Sequence, residues 1–226
     1  MKVRVVCATR AAREGFATST ALGKSLALLR PPGVELRLFA ANAAGLPSVY
    51  NTAIDESAAD PAILLFIHDD VHLCDFHWTE TLNDALEEFA LVGVAGNRRR
   101  VARQPGWCFV DERFTRDRRE NLSGIVGHGR GFPAERVDVF GPSRQQVSLL
   151  DGVMLAVKSE TLQAKTLRFD EQFDFHFYDL DLCRQAERAG LAMGTCAVSL
   201  IHESKGNFGG DGWRRGYERY LAKWGE

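Results

Sequence analysis

The apolar stretch that ends at His68-Asp69-Asp70 constrains the fold of this chain more than any other feature. Five apolar residues run without interruption from Ile63 to Ile67, far fewer than the ~20 that cross a membrane. Such a short run, after the turn signal Asp60-Pro61, is typical of a strand buried on both faces in an α/β sheet. Ligands of open α/β sheets bind beyond the carboxyl ends of strands. Two carboxylates placed there suit Mg²⁺ or Mn²⁺, and the alternative is an exposed turn or a helix cap.

The composition is that of one globular α/β domain. The chain has 226 residues, of which 45% are hydrophobic and 26% charged, and this is enough for a sizeable core. A net charge of -2 provides no bulk attraction for nucleic acid or for an anionic membrane. Five cysteines without a CxxC pair, and a strand-like N-terminus without a signal peptide pattern, lead us to expect a cytoplasmic protein.

The first part of the chain alternates strands with helices. Residues 3–8 are predicted to form a strand that ends at Thr9-Arg10, and residues 34–40 a second strand. No GxGxxG follows the first strand, which argues against a dinucleotide-binding dehydrogenase. A helix is expected over 48–57, where Asn51 lies either on the exposed face or near a bound nucleotide. Strands and helices at this spacing predict a parallel sheet with right-handed connections.

The middle of the chain loses this regularity. Residues 97–120 contain eight arginines against four acidic residues, and 124–133 contain four glycines. We expect an irregular insertion or hairpin over about 97–147. Loops of that length are uncommon unless they are functional or disordered. The insertion is therefore either a solvated loop or a lid that contacts the acceptor, with arginines that bind anionic oxygen.

Two further polar centres interrupt apolar patterns in the last third of the chain. Asp151-Gly152 breaks a predicted strand, which indicates a bulge or a close approach of backbone to a ligand. Asp179 and Asp181 begin a helix, where a carboxylate stabilises the N-terminus. Asp179 also follows an aromatic run that could raise its pKa and make it a base. His202 ends a further apolar stretch and is either structural or a third polar group at the same sheet edge.

A C-terminal helix is predicted over 211–224. Its aromatic residues fall on one face and either pack against the domain, which we prefer, or form a partner surface for a membrane or a second copy. These residues are Trp213, Tyr217, Tyr220 and Trp224.

The order of these motifs resembles the GT-A glycosyltransferases of family 2, in particular a short bacterial glycosyltransferase-like branch. In that family an apolar strand ends in Asp-x-Asp, and here His68 stands where the first Asp is usual. Phe169-Asp170-Glu171 and Asp179-x-Asp181-Leu182-Cys183 match a run in which the first Asp of the pair acts as base. Tyr178 stands where the family usually has Glu.

The resemblance implies a single GT-A (nucleotide-diphospho-sugar transferase) domain over 1–226, with a single mixed, mostly parallel sheet flanked by helices. It implies an inverting, metal-dependent glycosyltransferase that moves a sugar from a nucleotide-diphosphate donor to a hydroxyl of a glycan or small-molecule acceptor. The residues that it assigns are Asp179 as base, Asp70 and His202 for Mn²⁺ or Mg²⁺, Thr9, Arg10, Asn51 and Asp69 for the nucleotide, and Asp151, Gly152 and Asp181 for the acceptor.

Two alternatives remain at this point. One is a non-catalytic relative that binds nucleotide sugars, which the departures at His68 and Tyr178 favour. The other is a metal-dependent hydrolase or phosphotransferase built on His68, Asp70 and His72, which share one face of an extended strand. Histidine and aspartate ligands of that kind suit Zn²⁺.

Overall fold

The computed structural model describes residues 1–204 and 206–225. The strands are β1 (Val3–Ala8), β2 (Val34–Phe39), β3 (Ile63–Ile67), β4 (Val71–Leu73), β5 (Leu91–Gly93), β6 (Ala95–Asn97), β7 (Leu122–His128), β8 (Arg136–Gly141), β9 (Gln146–Val147), β10 (Leu149–Leu150), β11 (Met154–Lys158), β12 (Met193–Thr195) and β13 (Leu200–His202). The α-helices are α1 (Phe16–Ser19), α2 (Ala21–Leu29), α3 (Leu46–Glu56), α4 (Trp78–Glu88), α5 (Ser159–Lys165), α6 (Tyr178–Arg188) and α7 (Asp211–Trp224). Short 3-10 turns lie at Arg13–Gly15 and Arg119–Asn121.

The main sheet has the strand order β2-β1-β3-β11-β5-β12-β9. β1 pairs in parallel with β2 and β3, and all five residues of β3 are buried, as the apolar run predicts. β11 then inserts antiparallel between β3 and β5. The mixed α/β architecture is therefore confirmed, but the parallel character of the expected sheet holds mainly for its N-terminal half.

A second sheet has the order β10-β6-β7-β13-β4, with β8 paired to β7. The expectation of one sheet misses it because its strands are short and β7 contains glycines in place of an apolar run. Gly124 has φ +106°, and a Cβ there would lie 2.0 Å from the Val94 carbonyl oxygen. Only glycine permits this close crossing of backbones.

The arginine-rich segment is held by ion pairs. Asp117 is buried and accepts hydrogen bonds from Arg99 and from Asn97 and Asn121, and Arg103 pairs with Glu112. The hairpin of β7 and β8 follows within the same part of the chain. Most arginines of this segment therefore neutralise nearby carboxylates. Within the described part of the chain, Arg116 is the one of the eight arginines of residues 97–120 that lies in the wall of the cleft described below.

The aromatic face of α7 packs inward. Trp213, Tyr217 and Trp224 are each 7% exposed, and the Trp224 indole donates a 2.9 Å hydrogen bond to Asp181 of α6. The packing alternative is thus the one that the structure shows, and this face is not free to contact a membrane or a second copy. None of the helices described is long and apolar enough to cross a membrane.

Candidate active site

A cleft of about 620 Å³ opens beyond the carboxyl end of β3. Its walls come from the turn after β3, the Asp151-Gly152 junction between β10 and β11, the start of α6 and the end of β13. Aromatic side chains line much of it, among them Trp107, Phe140, Phe175 and Trp213. The cleft is large enough for a small organic ligand.

Three side chains at the base of this cleft form the one cluster with metal-ligand spacing among the described residues. Ligand atoms of His68, Asp70 and His202 all lie within 4.8 Å of one another. His68 and Asp70 follow β3, and His202 ends β13. The antiparallel pairing of β13 with β4, in which His202 lies opposite Val71, brings the histidine to the carboxylate.

Asp70 and His202 perturb one another. The Nε2 atom of His202 lies 3.3 Å from Oδ2 of Asp70 and 3.0 Å from the Ser204 hydroxyl. Burial alone lowers the pKa of His202, but the hydrogen bond and charge of Asp70 outweigh it and raise that pKa above its ordinary value. Burial raises the pKa of Asp70, but His202 more than offsets it and the net pKa is lowered. Protonation of His202 therefore stabilises the ionised Asp70, and a cation bound between the two side chains would stabilise that carboxylate in the same way.

The unpaired oxygen of Asp70 tests whether a metal fits. Oδ1 of Asp70 is buried and has no hydrogen-bond partner within the described chain, and it lies 4.0 Å from Nδ1 of His68. Burial lowers the pKa of His68, so the ring is neutral and offers a lone pair. An orphaned carboxylate oxygen beside imidazole nitrogens is a donor set that suits a divalent cation, so the residues present fit the group.

The two departures from the family pattern contact each other. The Nε2 atom of His68 lies 2.9 Å from the Tyr178 hydroxyl, which in turn donates a 2.8 Å hydrogen bond to the Gly152 carbonyl oxygen. Tyr178 is 2% exposed and packs against Tyr50 and Phe169. The sequence alone shows His68 and Tyr178 as two unrelated departures from the family pattern, because no local pattern links residues that are 110 positions apart.

Asp179 lies in the first turn of α6 and faces the cleft. One of its carboxylate oxygens accepts a 2.9 Å hydrogen bond from the Gly152 amide. Burial, and then the charge of Asp151, raise the pKa of Asp179 to about 7 despite the backbone amides that favour its charged form. Asp151 is itself held by the Trp107 indole at 2.7 Å. The predicted effect of the aromatic run on this carboxylate is therefore present in the structure.

The residue before α6 adopts a left-handed backbone. Phe177 has φ +70°, a conformation that costs about 1–2 kcal/mol for a residue with a side chain. Its ring stacks on Tyr217 and Tyr220 of α7, with centroids 5.6 and 5.5 Å away. Packing against α7 thus holds the turn that presents Tyr178 and Asp179 to the cleft.

Cationic groups form a second wall of the cleft. Arg136 and Arg116 approach Asp138 at 3.2 and 3.8 Å, and His128 lies 3.4 Å from the same carboxylate. Both ring nitrogens of His128 are buried without a hydrogen bond in the described structure. One carboxylate between two guanidinium groups leaves a net positive charge on this wall.

The residues predicted for the nucleotide lie apart from the cleft lining. The Thr9 hydroxyl donates a 2.6 Å hydrogen bond to Asp69 at the end of β1 and β3, and Arg10 is exposed beside them. Asn51 is buried, and its amide bonds to the backbone of Phe169 and to Glu171. The side chain of Asn51 is thus committed to that turn and does not line the cleft.

Asp181 and His72 are also not brought to the cleft. Asp181 is fully buried between α6 and α7, where it pairs with Lys223 at 2.6 Å and with the Trp224 indole. Its oxygens are thus used inside the core, and it does not line the cleft. His72 lies outside the metal-type cluster, whose third member is His202. Of the three side chains that the hydrolase alternative names, His72 thus lies outside the cluster and His202 takes its place.

Comparison with known proteins agrees with this geometry. The mixed α/β architecture is the GT-A fold of the solved structures described below. The model of a glycosyltransferase-like family matches residues 14–203, so the chain belongs to that family. This confirms the predicted fold class and the prediction of a glycosyltransferase at the level of the family. Among curated proteins, none matches the chain.

Several solved structures share the fold at low identity. S. aureus TarS is 13% identical with a TM-score of 0.50 over 90% of this chain and 37% of its own. GalNAc-T7, solved with UDP, GalNAc and Mn²⁺, is 10% identical with a TM-score of 0.53 over 99% of this chain and 48% of its own. A197 from STIV is 10% identical with a TM-score of 0.50, over 91% and 96% of the two chains. The chain thus spans less than half of the TarS and GalNAc-T7 structures.

Proposed function

We propose that this protein is an inverting, metal-dependent glycosyltransferase that moves a sugar from a nucleotide-diphosphate donor to a hydroxyl of a glycan or small-molecule acceptor. The observation that carries the proposal is the position of Asp179. Its carboxyl group has a pKa of about 7 and shares one cleft with the cluster of His68, Asp70 and His202. The presence of UDP, GalNAc and Mn²⁺ in the GalNAc-T7 structure supports this type of donor and metal.

Asp179 supplies the base in this proposal. A carboxylate whose pKa lies near neutrality removes a proton more effectively than one of ordinary acidity, and it is still largely ionised above pH 7. The backbone amides of Gly152 and Leu180 orient the carboxylate, and it accepts the proton of the acceptor hydroxyl. Attack by that hydroxyl on the face of the sugar opposite the leaving diphosphate inverts the anomeric carbon in a single displacement.

Asp70 and His202 would hold Mn²⁺ or Mg²⁺. A divalent cation bound there supplies Lewis-acid stabilisation of the negative charge that develops on the diphosphate leaving group. The Ser204 hydroxyl positions the His202 ring. Aromatic walls of the cleft, including Trp107 and Phe175, exclude water and offer apolar faces to a sugar ring.

The positive wall of Arg116 and Arg136 favours an anionic group in the donor or the acceptor. Thr9, Arg10 and Asp69, at the carboxyl ends of β1 and β3, remain our candidates for contacts with the nucleotide. The five cysteines are free thiols, which is compatible with the cytoplasmic, bacterial setting that we propose.

The test is transfer by Asp179→Asn compared with the unchanged protein. A thermal-shift screen of nucleotide sugars, with and without Mn²⁺, first identifies the donor. A donor at 100 times its dissociation constant stabilises the fold by about 2.7 kcal/mol. We expect Asp179→Asn to lower turnover by about 10²–10⁴-fold and to retain the metal-dependent shift, whereas Asp70→Ala loses the shift.

Asp84→Asn is the matched control, since Asp84 is an exposed residue of α4 outside the cleft. Turnover by Asp179→Asn equal to that of this control would remove Asp179 from the role of base. A metal-dependent shift without transfer to any acceptor would favour the non-catalytic, nucleotide-sugar-binding relative instead.

A further inference from the structure

His68, Tyr178 and Gly152 form a chain of hydrogen bonds beneath the cleft. The Tyr178 hydroxyl lies 2.9 Å from Nε2 of His68 and 2.8 Å from the Gly152 carbonyl oxygen. The hydroxyl has a single proton, and a carbonyl oxygen has none to give. The Tyr178 proton therefore lies on the Gly152 side, and His68 must be the donor to the tyrosine oxygen.

This order of donors fixes the tautomer of His68. If Nε2 carries the proton, the neutral ring has its lone pair on Nδ1. Nδ1 lies on the side of Asp70, 4.0 Å from the Oδ1 atom that has no hydrogen-bond partner in the described structure. Nδ1 of His68 and Oδ1 of Asp70 thus both carry lone pairs and face one another. They cannot form a hydrogen bond, because neither atom has a proton to donate.

We infer that His68 is a third metal ligand through Nδ1, that Tyr178 holds it in the ligating tautomer, and that the resulting two-imidazole, one-carboxylate set prefers Mn²⁺ to Mg²⁺. The role of the metal in transfer rests on the proposed function, but the ligand set does not. His202 supplies the second imidazole and Asp70 the carboxylate, and all three ligand atoms lie within 4.8 Å of one another.

The preference for Mn²⁺ follows from ligand chemistry. Mg²⁺ binds through carboxylates, phosphates and retained water in an octahedron of oxygen atoms. Mn²⁺ is a first-row transition metal and accepts imidazole more readily than Mg²⁺ does, although a set of two histidines and one carboxylate is best known with Fe²⁺. Replacing a carboxylate by an imidazole at position 68 also lowers the negative charge of the site, which weakens binding of the harder cation most.

Tyr178 is the complement of His68 in this arrangement. Ligating histidines usually donate their second ring N–H to a carboxylate, a carbonyl or water, and such partners affect metal affinity by about 10–100-fold. Here the acceptor is a buried phenol that the Gly152 carbonyl orients in turn. His68 and Tyr178 therefore form one hydrogen-bonded pair, although they belong to two separate motifs of the sequence.

The first experiment determines the tautomer in the metal-free protein. NMR of protein labelled with ¹⁵N-histidine distinguishes the two ring nitrogens, and the His68 signals are assigned by their loss in His68→Gln. We expect His68 to be neutral with its proton on Nε2. A proton on Nδ1 would overturn the inference, because that nitrogen would then have no lone pair for a metal.

The second experiment measures Mn²⁺ and Mg²⁺ binding by calorimetry. Tyr178→Phe keeps the buried ring and removes only the hydroxyl, and we expect it to weaken Mn²⁺ binding by about tenfold with little effect on Mg²⁺. Tyr220→Phe is the matched control, since it removes the hydroxyl of another buried tyrosine that does not line the cleft. His68→Asp should shift the preference toward Mg²⁺.

Two results would refute the inference about the metal. One is equal Mn²⁺ affinity in His68→Ala and the unchanged protein, and the other is equal weakening by Tyr178→Phe and Tyr220→Phe. Circular dichroism of each variant confirms that it is folded. Selective Mn²⁺ binding in a protein that transfers no sugar would leave this inference intact and refute the proposed function, so the two fail separately.

Discussion

Asp179→Asn should change the pH dependence of stability in a way that can be calculated from the structure. The folded chain raises the pKa of Asp179 from 3.8 to about 7, so the folded state holds this proton more tightly than the unfolded state does. Below pH 4 the carboxyl is protonated in both states. Between pH 4 and 7 the unfolded chain releases the proton first, and the free energy of unfolding falls.

The size of this effect is set by the difference between the two pKa values. Each pKa unit corresponds to ~1.36 kcal/mol, so the whole interval is worth about 4 kcal/mol. Asparagine has no proton to release, and its side-chain oxygen still accepts the hydrogen bond that the Gly152 amide donates to Asp179. The variant should therefore match the unchanged protein near pH 4 and exceed its stability by up to about 4 kcal/mol above pH 7.

Urea unfolding curves at pH 5, 6, 7 and 8 provide the measurement. The difference in free energy of unfolding between Asp179→Asn and the unchanged protein should grow with pH and level off above pH 7. Asp84→Asn, an exposed change of the same type, should give a difference that stays near zero. Parallel pH profiles for Asp179→Asn and the unchanged protein would show that Asp179 titrates normally, and the reasoning about its basicity would then be wrong.

Two further changes test the packing around the site. Asp181→Asn removes the charge that Lys223 approaches at 2.6 Å and should cost about 2 kcal/mol, discounted because Lys223 also pairs with Asp170. Urea unfolding measures this loss, and a raised KM for the acceptor without a loss of stability would instead return Asp181 to the acceptor site. Gly152→Ala would place a Cβ 2.6 Å from the Tyr178 hydroxyl, and overpacking of this kind costs about 1–3 kcal/mol. Unfolding curves and Mn²⁺ titration should show both a less stable fold and weaker binding, whereas an unaffected Mn²⁺ affinity would separate Gly152 from the metal ligands.

Local patterns in the sequence predicted the parts of the structure that depend on local chemistry. The apolar run before His68 predicts a buried strand and polar groups at its end, and both are present. The aromatic run before Asp179 predicts a shielded carboxylate, and the pKa of that residue is raised. The apolar run and the aromatic run each extend over only a few consecutive residues. A single sequence is therefore enough to predict the buried strand and the shielded carboxylate.

The features that sequence reasoning missed depend on contacts between distant segments. Asn51 is bonded to the backbone of Phe169, and Asp181 to Trp224, so side chains expected to face ligands are used in packing. The second sheet consists of short strands that pair only in the folded chain. The hydrogen bond between His68 and Tyr178 is also a contact between distant segments, so no local pattern predicts it.

The pairing of β13 with β4 has a consequence for how the protein reaches its folded state. His68 and Asp70 belong to the first third of the chain, whereas His202 reaches them only when these two strands align. Closing so long a loop is slow and entropically costly, so contacts of this kind form late in folding. The proposed cation site is therefore incomplete in a nascent chain until residues 200–202 emerge from the ribosome. A cation bound there would not nucleate folding, and it would stabilise a domain that has already assembled.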